Sequence, residues 1–233
     1  MKTIGLLGGM SWESSIEYYR IINEETKRRL GGSHSAKCLM YSFDFQEIEE
    51  LQHKGDWEQL TREMVLQATA LKNAGADFIV ICTNTMHLMA ADIESKTGLP
   101  VLHIAAVTGA EIKKQGLRKV ALLGTNFTMQ SGFYQDILKQ KYALDVIVPE
   151  AKDREVIHTI IYNELVLGMI KKQSRDKYRE IITKLAAAGA EGVILGCTEI
   201  PLLIKQEHVS IPVFDTTEIH AKAAVSYALK KEE

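Results

Sequence analysis

Three segments of this chain occur twice, in the same order and at nearly the same separation. Ala74-Gly75-Ala76-Asp77, an apolar run and then Cys82-Thr83-Asn84-Thr85 return 114 residues later as Ala188-Gly189-Ala190-Glu191, an apolar run and Gly196-Cys197-Thr198-Glu199. Before them, Ile4-Gly5-Leu6-Leu7-Gly8 matches Val120-Ala121-Leu122-Leu123-Gly124 at an offset of 116, and after them Leu99-Pro100-Val101-Leu102 matches Ile211-Pro212-Val213-Phe214 at 112. A period this long excludes a solenoid, whose repeats run to about 20 to 50 residues. It leaves a chain built from two copies of one folding unit.

Each copy alternates short β-branched runs with longer amphipathic stretches. Thr3–Leu7, Lys37–Phe43, Asp77–Cys82 and Val101–Ile104 read as strands in the first copy, and Lys119–Leu123, Leu144–Val148, Gly192–Leu195 and Val213–Phe214 in the second. Helical spacing covers Ser15–Leu30, Trp57–Asn73, Asn84–Lys96, Arg154–Gly168 and Asp176–Ala188. Strand and helix in alternation predict an α/β fold, each unit a mainly four-stranded parallel sheet flanked by helices. The expected partition is residues 1–104 plus 209–233 for the first domain and 105–208 for the second.

Charge narrows the function. With 28 Lys plus Arg against 30 Asp plus Glu, the formal charge is -2 and no basic block is available to follow a phosphate backbone, so a nucleic-acid partner is not expected. No apolar run approaches the ~20 residues of a membrane span, and the N-terminal segment lacks a signal-peptide pattern, so a cytoplasmic protein is expected. Cys38, Cys82 and Cys197 are widely separated, with no C-x-x-C pair, which suggests neither disulfides nor a metal site. Gly8-Gly9-Met10-Ser11-Trp12-Glu13 lacks the third glycine of a dinucleotide fingerprint and no phosphate-binding P-loop occurs; no cofactor is called for.

In open parallel sheets, ligands collect beyond the carboxyl ends of the strands. Both copies place small polar residues there: Gly8-Gly9-Met10-Ser11 and Thr83-Asn84-Thr85 in the first, Gly124-Thr125 and Cys197-Thr198-Glu199 in the second. Backbone amides at such turns attract a carboxylate, so a small anionic ligand is expected at one site served by both halves. Cys197 stands out, because a thiol at a helix start can have its pKa lowered far enough to act as a base near neutral pH. Its place at a strand mouth, matched by Thr83 in the other copy, favours chemistry over packing as a small hydrophobe.

Gly8-Gly9-Met10-Ser11, Thr83-Asn84-Thr85-Met86-His87, Gly196-Cys197-Thr198-Glu199 and Pro212-Val213-Phe214-Asp215 together resemble the aspartate/glutamate racemase superfamily of cofactor-independent amino-acid racemases. The resemblance runs over essentially the whole chain. It implies two α/β domains related by a pseudo-twofold axis, often a homodimer, with two cysteines on opposite faces of the substrate α-carbon. Here Thr83 stands where the first family cysteine lies, and Cys82 is one residue out of register. A shift of one residue turns a strand side chain to the other face, so Cys82 reads as structural. The Thr/Cys arrangement is similar to a subgroup specific for L-aspartate and L-glutamate, with Cys197 as the general base and reprotonation from the Thr83 side.

The resemblance also suggests Asn84, Thr85, Thr125 and Thr198 as α-carboxylate contacts, Met10 and Ser11 as the floor, and Glu199 as a partner for the α-ammonium group. The Pro-Asp-Arg segment of many aspartate-type members is replaced by Ser42-Phe43-Asp44-Phe45-Gln46-Glu47, which leaves Gln52 as a substitute side-chain contact, otherwise a solvated helix residue. His87, one helical turn after Thr83, could orient the Thr83 hydroxyl. His103 and His220 follow later strands and receive no role. Two alternatives stand beside racemisation: a two-domain amino-acid sensor without turnover, and a relative such as a hydantoin racemase, maleate isomerase or arylmalonate decarboxylase.

Overall fold

A computed structural model describes residues 1 to 230, which fall into two compact units. The first unit comprises Met1–Ile104 and the segment from His220 onward; the second is Ala105–Ile219. The first contains β1 (Ile4–Gly8), α1 (Trp12–Leu30), β2 (Cys38–Ser42), α2 (Phe45–Lys54), α3 (Trp57–Asn73), β3 (Phe78–Ile81), a 3-10 turn at Thr85–Met89 and α4 (Ala90–Thr97). The chain then enters α5 (Ile104–Lys114), β4 (Lys119–Gly124), α6 (Asn126–Gln130), α7 (Gly132–Tyr142), β5 (Asp145–Ile147), α8 (Ala151–Asn163), α9 (Lys172–Ala187), β6 (Gly192–Gly196), α10 (Ile200–Leu203), β7 (Val213–Asp215) and α11 (Thr216–Ala228). No helix among the described residues is long and apolar enough to cross a membrane.

All strand pairs in both sheets are parallel, with order β2-β1-β3 in the first unit and β5-β4-β6-β7 in the second. The repeat holds at the level of single backbone groups. Ile4 pairs with Phe78 as Val120 pairs with Gly192. The Asp77 N–H donates to Thr3 O at 2.9 Å and the Glu191 N–H to Lys119 O at 2.8 Å; Ile79 donates to Pro100 O at 2.9 Å and Val193 to Pro212 O at 2.8 Å. The repeated acid has a job in each copy. The Asp77 carboxylate accepts the Thr3 N–H, and that of Glu191 accepts those of Arg118 and Lys119, tying the start of the neighbouring strand. The glycine before it, Gly75 at φ 102° or Gly189 at φ 94°, reverses the chain out of α3 or α9 in a conformation that costs other residues more.

Two expectations need correction. The first sheet has three strands, because Val101 makes only an isolated bridge to Ile79, the counterpart of Val193 with Val213, before the chain turns into α5 at Ile104. Residues 209–219, expected in the first domain, belong to the second, because β7 hydrogen-bonds along β6 and continues that sheet.

The cores follow from strand alternation. In the first unit Leu7, Ile79 and Ile81 pack against Leu60, Met64 and Ala68 of α3, spaced to line one helix face. Leu6, Phe78, Val80 and Cys82 point the other way, onto Tyr18 and Ile22 of α1 and Ala221, Ala224 and Val225 of α11. In the second unit Val193, Leu195 and Cys197 share one face with Ile157 and Ile161 of α8 and Tyr178 and Ile182 of α9.

Candidate functional site

Parity along the strands decides which residues are equivalent. Cys82 continues the Phe78–Val80 face; it is fully buried, and burial pushes its thiol far above the ordinary range. Cys197 continues the Val193–Leu195 face, whose counterpart in the first unit is Ile79–Ile81. Thr83 is the next residue of that parity, so Thr83 and Cys197 hold matching places after β3 and β6, and Cys82 matches Gly196.

The turn after β3 is held by an imidazole. The His87 Nδ1–H donates to the Thr83 carbonyl at 2.8 Å, while Nε2 accepts the Ile104 N–H at 3.1 Å. Both bonds require the neutral ring, and its pKa lies well below the usual value through burial and the neighbouring His103 and His220. His87 therefore fastens the Thr83 backbone and does not bond its hydroxyl as expected. A second neutral ring supports the region: His220 Nε2–H donates to Leu102 O at 2.7 Å and its Nδ1 accepts from Tyr18 at 2.9 Å. Burial first, then His103, lowers its pKa to about 3. Sequence reading left His220 without a role because its partners lie 118 and 202 residues away.

Around this turn Asn84 and Thr85 are buried, as are Met10 and Ser11 after β1. The Ser11 carbonyl accepts the Ser14 and Ser15 hydroxyls, each at 2.9 Å, and Ser15 Oγ accepts the Gly9 N–H at 2.7 Å, so the Gly9–Ser11 loop is folded onto the first turn of α1. Gln52 is buried, with its amide donating to Met86 Sδ at 3.3 Å. It is not a solvated helix residue, and it sits against the turn that carries Thr83.

In the second unit Thr125 is the N-cap of α6, its Oγ1 accepting the Thr128 N–H at 3.3 Å. After β6, Cys197 is 8% exposed and Glu199 4%. The Cys197 thiol donates to Glu199 Oε2 at 2.9 Å, and the Thr198 hydroxyl donates to the same oxygen at 2.9 Å. The expected lowering of the Cys197 pKa by a helix start is contradicted. Burial, then the Glu199 charge and hydrogen bond, push the thiol well above its ordinary value, outweighing the Glu199 and Thr198 backbone amides. The helix that follows, α10, has only four residues and supplies too little dipole to compensate. The thiol–carboxylate contact was missed because residues i and i+2 do not face each other on a helix; the non-helical turn at Thr198 brings them together.

The family model for Asp/Glu/hydantoin racemase matches residues 7–224. The broad specificity amino-acid racemase RacX of Bacillus subtilis (strain 168) is 25% identical over 235 residues, covering 96% of each chain. Among solved structures, a Yersinia pestis protein regarded as an Asp/Glu racemase is 56% identical at a TM-score of 0.92, covering 99% of this chain and 100% of its own. An aspartate racemase homologue from Pyrococcus horikoshii OT3 is 37% identical at a TM-score of 0.85, with 99% and 100% covered. A family match across nearly the whole chain, together with a duplicated fold whose strand ends carry Thr83 and Cys197, leads to one assignment: this chain belongs to the Asp/Glu/hydantoin racemase family.

Proposed function

We propose that the chain racemises an acidic amino acid without a cofactor, taking L-aspartate or L-glutamate. Cys197 removes the α-proton and the carbanion is reprotonated from the Thr83 side. The observation that carries this reading is the parity match of Thr83 and Cys197 after equivalent strands. Racemisation needs a proton acceptor and a proton donor on opposite faces of one carbon. A hydroxyl stays protonated at accessible pH, so Thr83, or a water it holds, serves as donor only. That asymmetry makes the two faces of the α-carbon chemically unequal, and the family resemblance assigns the Cys197 face to the L enantiomer.

Asn84, Thr85, Thr125 and Thr198 are the proposed α-carboxylate donors, Met10 and Ser11 the floor, and Gln52 the contact for the side-chain carboxylate. The family resemblance further supports a homodimer and a cytoplasmic setting. Deuterium uptake at Cα, followed by proton NMR in deuterated buffer with each enantiomer of aspartate and glutamate, tests the reading. Exchange confined to the L forms and lost in Cys197→Ala supports it. No exchange of any of the four, despite measurable binding, overturns it in favour of a sensor.

A further inference from the structure

Arg154 is a cation in an unfavourable place. Its N–H donates to the Glu150 carbonyl at 2.9 Å and closes the first turn of α8, close to the end where the helix dipole opposes positive charge. The side chain is half-buried. Its Nη1 donates to the Pro149 carbonyl at 2.9 Å, whereas Nε is buried without a hydrogen-bond partner. The acids on either side of it are engaged elsewhere: Asp153 accepts from Lys184 Nζ at 2.8 Å, and Glu155 from the Asn126 side-chain amide at 3.2 Å. Among the described residues no carboxylate pairs with Arg154. A buried donor left empty is destabilising and calls for an explanation.

The vacant edge has a specific shape. Nε and Nη2 of a guanidinium together meet a carboxylate with two parallel hydrogen bonds, as those of Arg28 do on Glu25, each at 2.7 Å. In Arg154 that edge is open, because the backbone bond that orients the group uses the remaining nitrogen, Nη1.

The placement of α8 says which anion the edge meets. α8 follows β5, so its start lies at the carboxyl end of the second sheet, the end that carries Thr125 after β4 and Cys197 after β6. The order β5-β4-β6 sets Arg154 beyond a strand two places from that of Cys197, roughly 10 Å across the sheet at about 4.8 Å per strand. An extended arginine side chain together with an aspartate or glutamate bridges such a gap. On the same helix face one turn later, His158 Nδ1 accepts the N–H of Asn126, the residue after Thr125, at 3.3 Å. A helix after a parallel strand runs back from the strand ends, so Arg154 lies nearer to them than His158 does.

We propose that Arg154 binds the side-chain carboxylate of the substrate and selects acidic amino acids over their neutral isosteres. The proposal rests on the reading that the α-carbon reacts at Cys197. It supplies the charge missing elsewhere: the segment Ser42-Phe43-Asp44-Phe45-Gln46-Glu47 contains no arginine, and Gln52 is a neutral amide whose donor is engaged with Met86 Sδ. A neutral amide bonds the oxygen of a carboxylate or of a carboxamide. A partly desolvated guanidinium favours the charged one, so discrimination between glutamate and glutamine falls to Arg154.

The test compares α-proton exchange of L-glutamate and L-glutamine, followed by proton NMR in deuterated buffer, in the parent, Arg154→Gln and Arg154→Lys. Binding of glutarate to the same proteins is measured by calorimetry. Arg154→Gln should lower kcat/KM for L-glutamate about a hundredfold, chiefly through KM, and weaken glutarate by a similar factor, while L-glutamine loses less than about threefold. Arg154→Lys keeps the charge without the paired donors and should reduce the preference for glutamate over glutamine about tenfold. Equal losses for both substrates in Arg154→Gln, or no loss for either, overturn the proposal. If that variant does not fold, an unchanged preference in Arg154→Lys overturns it instead. A parent that exchanges no α-proton, yet loses glutarate affinity in Arg154→Gln, keeps the carboxylate site and discards the racemase reading.

Discussion

The turns after β3 and β6 are two solutions to one geometry. Their strands pair in matching register and their acids at 77 and 191 tie equivalent neighbours. Yet Thr83-Asn84-Thr85 is fastened through its backbone by the neutral His87, whereas Cys197-Thr198-Glu199 is organised by a buried carboxylate that bonds its own neighbours. The duplicated frame has been kept by main-chain hydrogen bonds, which most side-chain changes leave intact. The strand mouths carry no such constraint, and there the copies have diverged into Thr83 on one side and Cys197 on the other.

The most severe way to break this asymmetry is to remove the thiol. Cys197→Ala is expected to lower α-proton exchange of L-glutamate about a thousandfold or to background, at least 4 kcal/mol of barrier, as measured by NMR. Making the halves alike should work in the opposite direction. Thr83→Cys puts a second ionisable group at the matching position, and exchange of D-glutamate should rise roughly a hundredfold while the L rate changes less. An unchanged preference for L would show that Thr83 does not set it.

The backbone support of the first turn should appear in stability. His87→Leu leaves the Thr83 carbonyl and the Ile104 N–H unpaired in a buried place, at a cost of about 2 kcal/mol in chemical denaturation. The smallest effect is a slope with pH. His87 and His220 stay neutral in the native state, with pKa values well below 6.5 and about 3, while the unfolded chain takes up both protons below about 6.5. Stability from these rings is therefore complete above pH 6.5 and is lost as pH falls toward 3, at about 1.4 kcal/mol per pH unit for each ring. In the second unit, burial raises the pKa of Asp215, so acid favours its native form there. Hydrogen exchange near pH 5 should accordingly show protection lost first in the amides around β3, and equal loss in both units would contradict this division.

Much of the fold was legible before any coordinates. The offset of 114 residues pairs Thr83 with Cys197 and leaves Cys82 out of register, and the packing of Cys82 with Phe78 and Val80 bears that out. The bounds of α3 were readable because Leu60, Met64 and Ala68 keep helical spacing and Asp56 caps the start, accepting the Gln59 N–H at 3.0 Å. The membership of residues 209–219 was not, since the repeated Ile-Pro-Val-Phe segment announces a strand without saying which sheet receives it. Gln52 misled for a similar reason: helical spacing shows a face but not what covers it.

The sequence by itself determined the duplication, the strand register and the equivalence of positions 83 and 197, because these depend on periodicity and order along the chain. Only the tertiary structure decided the protonation chemistry. A thiol expected to be acidic is instead held protonated against Glu199, and His87, read from sequence as a partner for the Thr83 hydroxyl, and His220, given no role, are neutral clamps on backbone groups. The pKa of a group reports its burial and the charges within a few ångströms, and those come from residues that the chain order does not place beside it.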